Sequence, residues 1–461
     1  MTGRPRRRWA GLLVLGVMGW WGEVAGAEPA PRSDAEPSSA PAAPAAAPDP
    51  PADAADDADD WDLSRYTGDV SEFTEHQGVK LYGFADFTYR RLLVRKDSEW
   101  RDVLFRHPSF AVGNLNLYFS SRLSHSWRSL IEVRLMYIPN GTERREADGQ
   151  LSRFSTRVGD YNDFGRSLRW GGIEIERAWL EYGPAESLNI VAGQWLTPYG
   201  IWNVDHGSPA IIAVNRPFII GEQLFPERQT GLQLHGKAFI GSSTVGYHAT
   251  ISNGRGTADS HLDFDANKAI GGRLYLRAPA AGELEVGASW YAGKFTDATE
   301  TPTVVQTPAG LEYDERVTRR SFDEVSYGLD VKWTSGGFHW QGEFLVNDVR
   351  FEEGHRTPST QPGAPPGFVA DHRRLGAYTL LGYRTELVGL MPYTLLEYYN
   401  FGGSGEGPPA YGAAWGVNAR PDPGVVLKLQ YMTAIFPSAG NDYYLVHDPL
   451  RLFEAQVAWV F

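Results

Sequence analysis

RLFEAQVAWVF, residues 451–461, alternates without a break: Phe453, Ala455, Val457, Trp459 and Phe461 fall on one face, Glu454 and Gln456 on the other. A period of two marks a strand with one apolar side. The same alternation opens at Val79 in VKLYGFADFTYRR, where Leu81, Ala85, Phe87 and Tyr89 oppose Lys80, Asp86, Thr88 and Arg90. It recurs in NLNLYFSSRL (114–123) and SWRSLIEVRLMY (126–137). Further strands are predicted near 172–183, 187–197, 229–240, 244–253, 267–277, 283–295, 323–334, 338–347, 373–384, 391–401, 409–420, 424–436 and 451–461, sixteen in all.

The connections decide what kind of β-protein this is. Seven are short turns, among them Pro184-Ala185-Glu186, Gly241-Ser242 and Ser335-Gly336-Gly337; alternating with them are eight mostly long ones, near 93–108, 140–171, 198–228, 254–266, 296–322, 348–372, 402–408 and 437–450. Strict alternation sends all turns to one rim and all loops to the other. That is the layout of a transmembrane barrel with short periplasmic turns and long extracellular loops. Hydrocarbon leaves a sheet edge unsatisfied, so the strand at Val79 is expected to pair with the one at Arg451–Phe461. A soluble sandwich, propeller or lectin alternates too, but its strands run to about five or six residues. These reach ten or more, near the 9–11 of a tilted membrane strand.

Composition agrees. There is no Cys to staple the fold, yet aromatics make up 13% of the chain, with 15 Trp. Such residues belong in girdles at the two membrane interfaces. The net charge of −13 is uneven: +3 over residues 1–27 and −11 over 28–76, which leaves −5 for 77–461. Arg6, Arg7 and Arg8 followed by the apolar run Trp9–Trp21 and Ala25-Gly26-Ala27 predict a secretory signal peptide over 1–27. Residues 28–76, rich in Ala, Pro and Asp, predict a disordered periplasmic segment. The barrel domain is expected over 77–461.

ERAWLEYGPAESLNIVAGQWLTPYGIWNVDH, residues 176–206, resembles the strand, tight turn and strand of phosphate-selective porins O and P and their relatives, where G-x-x-x-T-P-[YF]-G leads into the third long loop. The resemblance extends weakly over 79–461. It implies a sixteen-stranded Gram-negative outer-membrane porin, a homotrimer, whose third loop folds inward and narrows a passive channel. A C-terminal strand ending in Phe resembles the sorting pattern of such porins, implying that Phe461 engages the barrel-insertion machinery. The partners expected are therefore outer-membrane lipid and lipopolysaccharide, that machinery, and small hydrophilic solutes or ions, with no nucleic acid.

Within the third loop, GIWNVDHGSPAIIAVNRPFIIGEQLFPERQ, the constriction candidates are Asp205, His206, Arg216, Glu222, Glu227 and Arg228. Its apolar runs Ala210–Val214 and Pro217–Ile220 predict a loop packed against something, since they would otherwise form an exposed patch. On the barrel wall the candidates are Arg90, Arg128, Glu132, Arg134, Lys237, Lys332 and Arg384. Over all predicted inward positions nine bases meet eleven acids, without the cationic excess on which phosphate selectivity depends. Arg90, Arg128 and Arg134 form a candidate local anion-attracting cluster.

Other classes fit less well. There is no G-x-S-x-G elbow, no H-E-x-x-H and no Cys nucleophile, so the expectation is not an enzyme and no cofactor. Asp259–Asp265 resembles part of a calcium loop but has Lys268 at the required Gly position, so a solvated acidic loop, or weak divalent bridging to lipopolysaccharide, is the expectation and no dedicated metal site. An energy-coupled transporter needs about twenty-two strands and a plug. An adhesin or structural role is the remaining alternative, and an anion- or phosphate-selective channel is the alternative within porins.

Overall fold

In a computed structural model of the chain the described residues are 78–98, 100–103, 107–137, 142–145, 151–154, 170–204, 207–255, 266–307, 310–353, 370–402, 409–436 and 448–461. The expected signal peptide, the 28–76 segment, Asp205, His206 and the acidic stretch 259–265 lie outside them.

The strands are β1 (Val79–Leu92), β2 (Ser109–Arg122), β3 (Trp127–Tyr137), β4 (Trp170–Ala185), β5 (Leu188–Leu196), β6 (Arg228–Ile240), β7 (Ser243–Ser252) and β8 (Ala269–Pro279). There follow β9 (Glu283–Thr307), β10 (Gly310–Ser335), β11 (Phe338–Phe351), β12 (His372–Tyr383), β13 (Met391–Asn400), β14 (Ala410–Asp422), β15 (Val425–Ile435) and β16 (Leu450–Val460). A separate hairpin, Thr142–Arg145 with Leu151–Phe154, lies between β3 and β4. Each strand pairs antiparallel with its sequence neighbours, and β1 closes on β16 in register from Phe84↔Val460 to Leu92↔Leu452. Beyond the ladder, Gly83 and Phe461 exchange backbone hydrogen bonds of 2.8 and 3.0 Å. The expected sixteen-stranded closed barrel is the fold.

Closure follows from the alternation. Leu81, Ile131, Ile173, Leu274 and Leu329 stand exposed on the outside of the sheet, while Asp86, Glu132, Glu176 and Glu454 are buried inside it. Aromatic pairs mark both rims of the exterior. Phe87–Phe110 (5.4 Å) and Tyr398–Tyr411 (5.1 Å) lie toward the long loops; Trp127–Tyr182 (4.9 Å) and Phe338–Tyr383 (4.8 Å) lie toward the short turns. At the turn between β10 and β11, Gly336 and Gly337 both take positive φ (53° and 89°). A two-residue hairpin matched to strand twist needs that conformation at both positions.

One expectation is corrected. The connection read as a loop over 296–322 continues both strands: β9 and β10 stay paired from Glu283↔Thr334 out to Thr307↔Gly310. The neighbours do not follow, since β8 pairs with β9 only up to Ala292 and β11 meets β10 only from Phe322. The result is a two-stranded ribbon.

Candidate functional site

After β5 the chain turns into the barrel. The described residues 197–204 and 207–227 lie in the interior, and the chain returns to the wall at Arg228, so the segment meets strands nearly all the way round. Tyr199 shares a 2.6 Å hydrogen bond with Thr250 on β7, Gly200 N–H donates to Ser289 on β9 (3.2 Å), and Trp202 N–H donates to Glu343 on β11 (2.8 Å). Ser208 bonds to Asp86 on β1. The path then runs along β14, β15 and β16. Arg420 donates to Pro209 O (2.6 Å), Lys428 to Ile211 O (2.7 Å) and Asn418 to Ile212 O (2.9 Å), while Val214 N–H donates to Gln430 (2.9 Å) and Asn215 to Glu454. At the short helix α1 (Phe218–Gly221) the Phe218 N–H donates to Glu397 on β13 (2.6 Å). Ser326 on β10 donates to Leu224 O (2.6 Å), and Arg255 donates to Gln223 O (2.7 Å).

These bonds answer a requirement. Backbone polar groups taken from water must find partners, and an irregular segment cannot supply its own. Side chains of the wall supply them. The segment's apolar residues then pack as a core: Trp202, Ala213, Phe218, Ile219 and Leu224 are buried against Tyr378, Leu380, Tyr393, Leu395 and Tyr399 of β12 and β13. Trp202 meets Tyr378 edge-on at 5.6 Å. The packing expected for Ala210–Val214 and Pro217–Ile220 is present. Tyr393, Leu395 and Glu397 point inward together beneath the segment.

The facing wall is of another kind. Arg134 on β3 reaches Glu176 on β4 at 3.0 Å; Arg228 reaches the same carboxyl at 3.2 Å, pairs with Glu174, and lies 3.7 Å from Glu227. Glu227 binds Arg216 of the inner segment at 2.7 Å. Arg177 meets Glu132 at 2.5 Å, and Asn116 donates to that same carboxylate at 2.6 Å. Between Glu132↔Arg177 and Val133↔Ile175 the register slips by one, so Glu176 lies in a bulge and two successive residues address the interior. Nearer the short turns, Arg128 pairs with Glu181 (2.7 Å), and Arg273 holds both Glu285 (2.7 Å) and Asp330 (2.5 Å). Beyond β7, burial works against the charge of Arg255, but the Glu324 carboxylate 2.9 Å away more than offsets this and holds its pKa above the ordinary guanidinium value.

The constriction candidates thus separate. Arg216, Glu227 and Arg228 come together in one network with Glu174, Glu176 and Arg134, whereas Glu222 caps the C-terminus of α1. Among the wall candidates, Arg90, Arg128, Glu132 and Arg134 face inward and each sits in an ion pair. The cluster of Arg90, Arg128 and Arg134 is therefore not a bare cationic patch, because Glu454, Glu181 and Glu176 neutralise its members. Lys237 and Lys332 stand on β6 and β10 near the short turns. Arg384 is corrected: it lies one residue past β12, exposed in the turn, where its N–H closes on Gly337 O (2.7 Å). Lys428, Glu343 and Glu397 also face inward, but they hold the inner segment and line no open wall. Arg177, Arg273 and Arg277 escaped the reading. For the last two the signal was present in GGRLYLR, where they alternate with Leu274 and Leu276.

Among the described residues no group of three or more His, Cys, Asp or Glu is placed to hold a metal. The arrangement offers charge and hydrogen bonds beside β3, β4 and β6.

No protein-family model matches the chain, and no curated protein does. Solved structures similar to it include OmpTdeltaL8, an outer membrane protein of Vibrio cholerae (13% identity, TM-score 0.47, covering 83% of this chain and 99% of that one). The outer membrane channel DcaP of Acinetobacter baumannii is similar at 11% identity and TM-score 0.47 over 83% and 97% of the two chains. An anion-selective porin from Comamonas acidovorans gives 12%, 0.47, 84% and 100%. At such values the assignment of fold rests on the barrel's own closure and register.

Proposed function

We propose that the chain is a bacterial outer-membrane porin, through which small hydrophilic solutes and ions diffuse passively past a constriction formed by residues 197–227. The observation that carries this reading is the inversion of the sheet: Leu81, Ile131, Ile173, Leu274 and Leu329 outside, guanidinium and carboxylate groups inside. Water inside and hydrocarbon outside is the environment that such a cylinder satisfies, and a closed sheet leaves no edge for lipid to strand. Sixteen strands enclose a bore wider than side chains fill. Here the inner segment packs its apolar residues against β12 and β13 and bonds along β13–β16, and the passage is assigned to the ion-paired side at β3, β4 and β6.

The selectivity follows from that wall. Arg90, Arg128, Arg134, Arg177, Arg228 and Arg273 each lie against a carboxylate, which supports a weakly selective pore for polar solutes. The phosphate-selective subtype, which rests on the sequence resemblance, is the second reading. We read the chain as a channel and not as an enzyme. The same proposal includes a homotrimer and delivery by the insertion machinery through Phe461, whose deletion is expected to leave aggregates in the periplasm.

Conductance in planar bilayers tests it. Stepwise channels with a small reversal potential across a KCl gradient are expected. Absence of any channel from heat-modifiable, folded protein overturns the pore; a strongly anionic reversal potential with block by phosphate moves the assignment to the second reading.

A further inference from the structure

Inside the barrel, arginines come with acids. Outside, at one point, they do not. Arg91 on β1 and Arg451 on β16 both point outward at the long-loop rim, and both are exposed. Arg91 opposes Phe453, and Leu93 N–H donates to Arg451 O at 2.8 Å, so the two arginines are diagonal neighbours on the outer surface. Neither has a carboxylate partner among the described residues. Of the acids of the first long connection, Asp97 is held by Arg95 at 2.6 Å, and the side chains of Glu99 and Asp102 lie outside the described residues. Adjacent like charges across a sheet are destabilising, and an anion seated between them removes that cost.

The surroundings say which anion. The connection from β1 to β2 folds back so that Arg101 and His107 line a concave site together with Arg91 and Leu93. Directly toward the short turns comes the aromatic band, with Tyr89 and Phe87 packed on Phe110 at 5.0 and 5.4 Å. Aromatic girdles sit where acyl chains give way to headgroups. The site is thus at headgroup height on the lipid side of the wall, outside the bore, with exposed Leu93 offering apolar contact beside the cations.

We propose that Arg91 and Arg451, with Arg101 and His107, form a docking site for the phosphate group of an anionic outer-leaflet lipid. The inference rests on the outer-membrane reading, because only there does this rim meet the outer leaflet.

Native mass spectrometry of the full chain in neutral detergent, titrated with a bisphosphorylated glucosamine lipid, its dephosphorylated form and inorganic phosphate, tests it. The phosphorylated lipid is expected to be retained, and Arg91→Gln/Arg451→Gln to weaken it roughly 10- to 30-fold, from the electrostatic attraction of two surface arginines. Arg350→Gln, an exposed arginine on β11, is expected to leave binding unchanged. Equal binding of both lipid forms, or undiminished binding by the double variant, overturns the proposal. Displacement by inorganic phosphate at matching concentration assigns the site to the free ion and also overturns it. Should the double variant misfold, as heat-modifiability reports, Arg451→Gln alone is expected to weaken binding about fivefold, and unchanged binding overturns the site. Failure of the outer-membrane reading shows separately, as protein that needs no detergent and carries no current.

Discussion

The inner faces of β12–β16 and of β3–β8 belong to one sheet and do opposite things. On β12–β16 the inward residues are Tyr378, Leu380, Tyr393, Leu395, Tyr399, Met432 and Leu452, all buried under the inner segment. On β3–β8 they are Arg128, Arg134, Glu174, Glu176, Arg177 and Arg273, joined in ion pairs that range from the half-exposed Arg128 to the buried Glu176 and Arg273. The first side is a protein core that happens to lie within a cylinder; the second is the channel wall of the proposed porin. Because β12–β16 carry apolar residues on the inner face as well, set among polar ones such as Glu397, Lys428 and Gln430 that bond a backbone, they need an internal cover, and the segment after β5 provides it. In the proposed porin, pore width is then set by core packing, and ion preference by the opposite side.

The sharpest way to break this comparison is to hollow out the core side. Trp202→Ala with Phe218→Ala removes two fully buried aromatics, each costing about 3–5 kcal/mol; guanidinium unfolding in micelles reads the loss, and single-channel records are expected to become larger and noisier. A retained wild-type midpoint would mean that the segment does not depend on this packing.

Glu397→Ala is expected to cost less, about 1–3 kcal/mol, by leaving the buried Phe218 N–H without its acceptor. Glu397→Gln, which keeps an acceptor, is expected to recover most of it in the same unfolding assay. On the channel side, Glu176→Gln leaves Arg134 and Arg228 with one carboxylate charge fewer between them. The reversal potential is expected to move toward anions, with a permeability ratio changed about twofold, and conductance to remain. The smallest effect belongs to Arg128→Gln, whose side chain is 47% exposed in its pair with Glu181. Stability is expected to change by less than about 1 kcal/mol, as for other solvent-reached ion pairs.

The same division explains what could be read in advance. Where one face met lipid and the other water, alternation showed the strand and its facing, as at Phe87/Thr88 on β1 and Ile131/Glu132 on β3. Where the inner face was covered, alternation lost contrast: Tyr393, Leu395 and Leu396 look alike in sequence, and only the cover distinguishes inside from outside. The bulge at Glu176 is invisible to a period-two count, yet it brings Arg177 inward to Glu132. The apolar runs 210–214 and 217–220 did betray a packed loop, but nothing local could show that Lys428 and Glu397 serve its backbone and not the bore. The ribbon was missed because Pro302 and the charged run around Arg316–Arg320 read as a surface loop.

That ribbon has a use. Residues 296–307 and 310–321 pair with each other after their neighbours have let go. Twelve residues a side at strand rise make an arm of about 40 Å that extends beyond the last paired residues of both neighbouring strands. A peptide epitope grafted at 308–309 should be displayed to antibodies on intact cells without altering permeation, which makes this arm a handle for counting, capturing or tracking the protein in place.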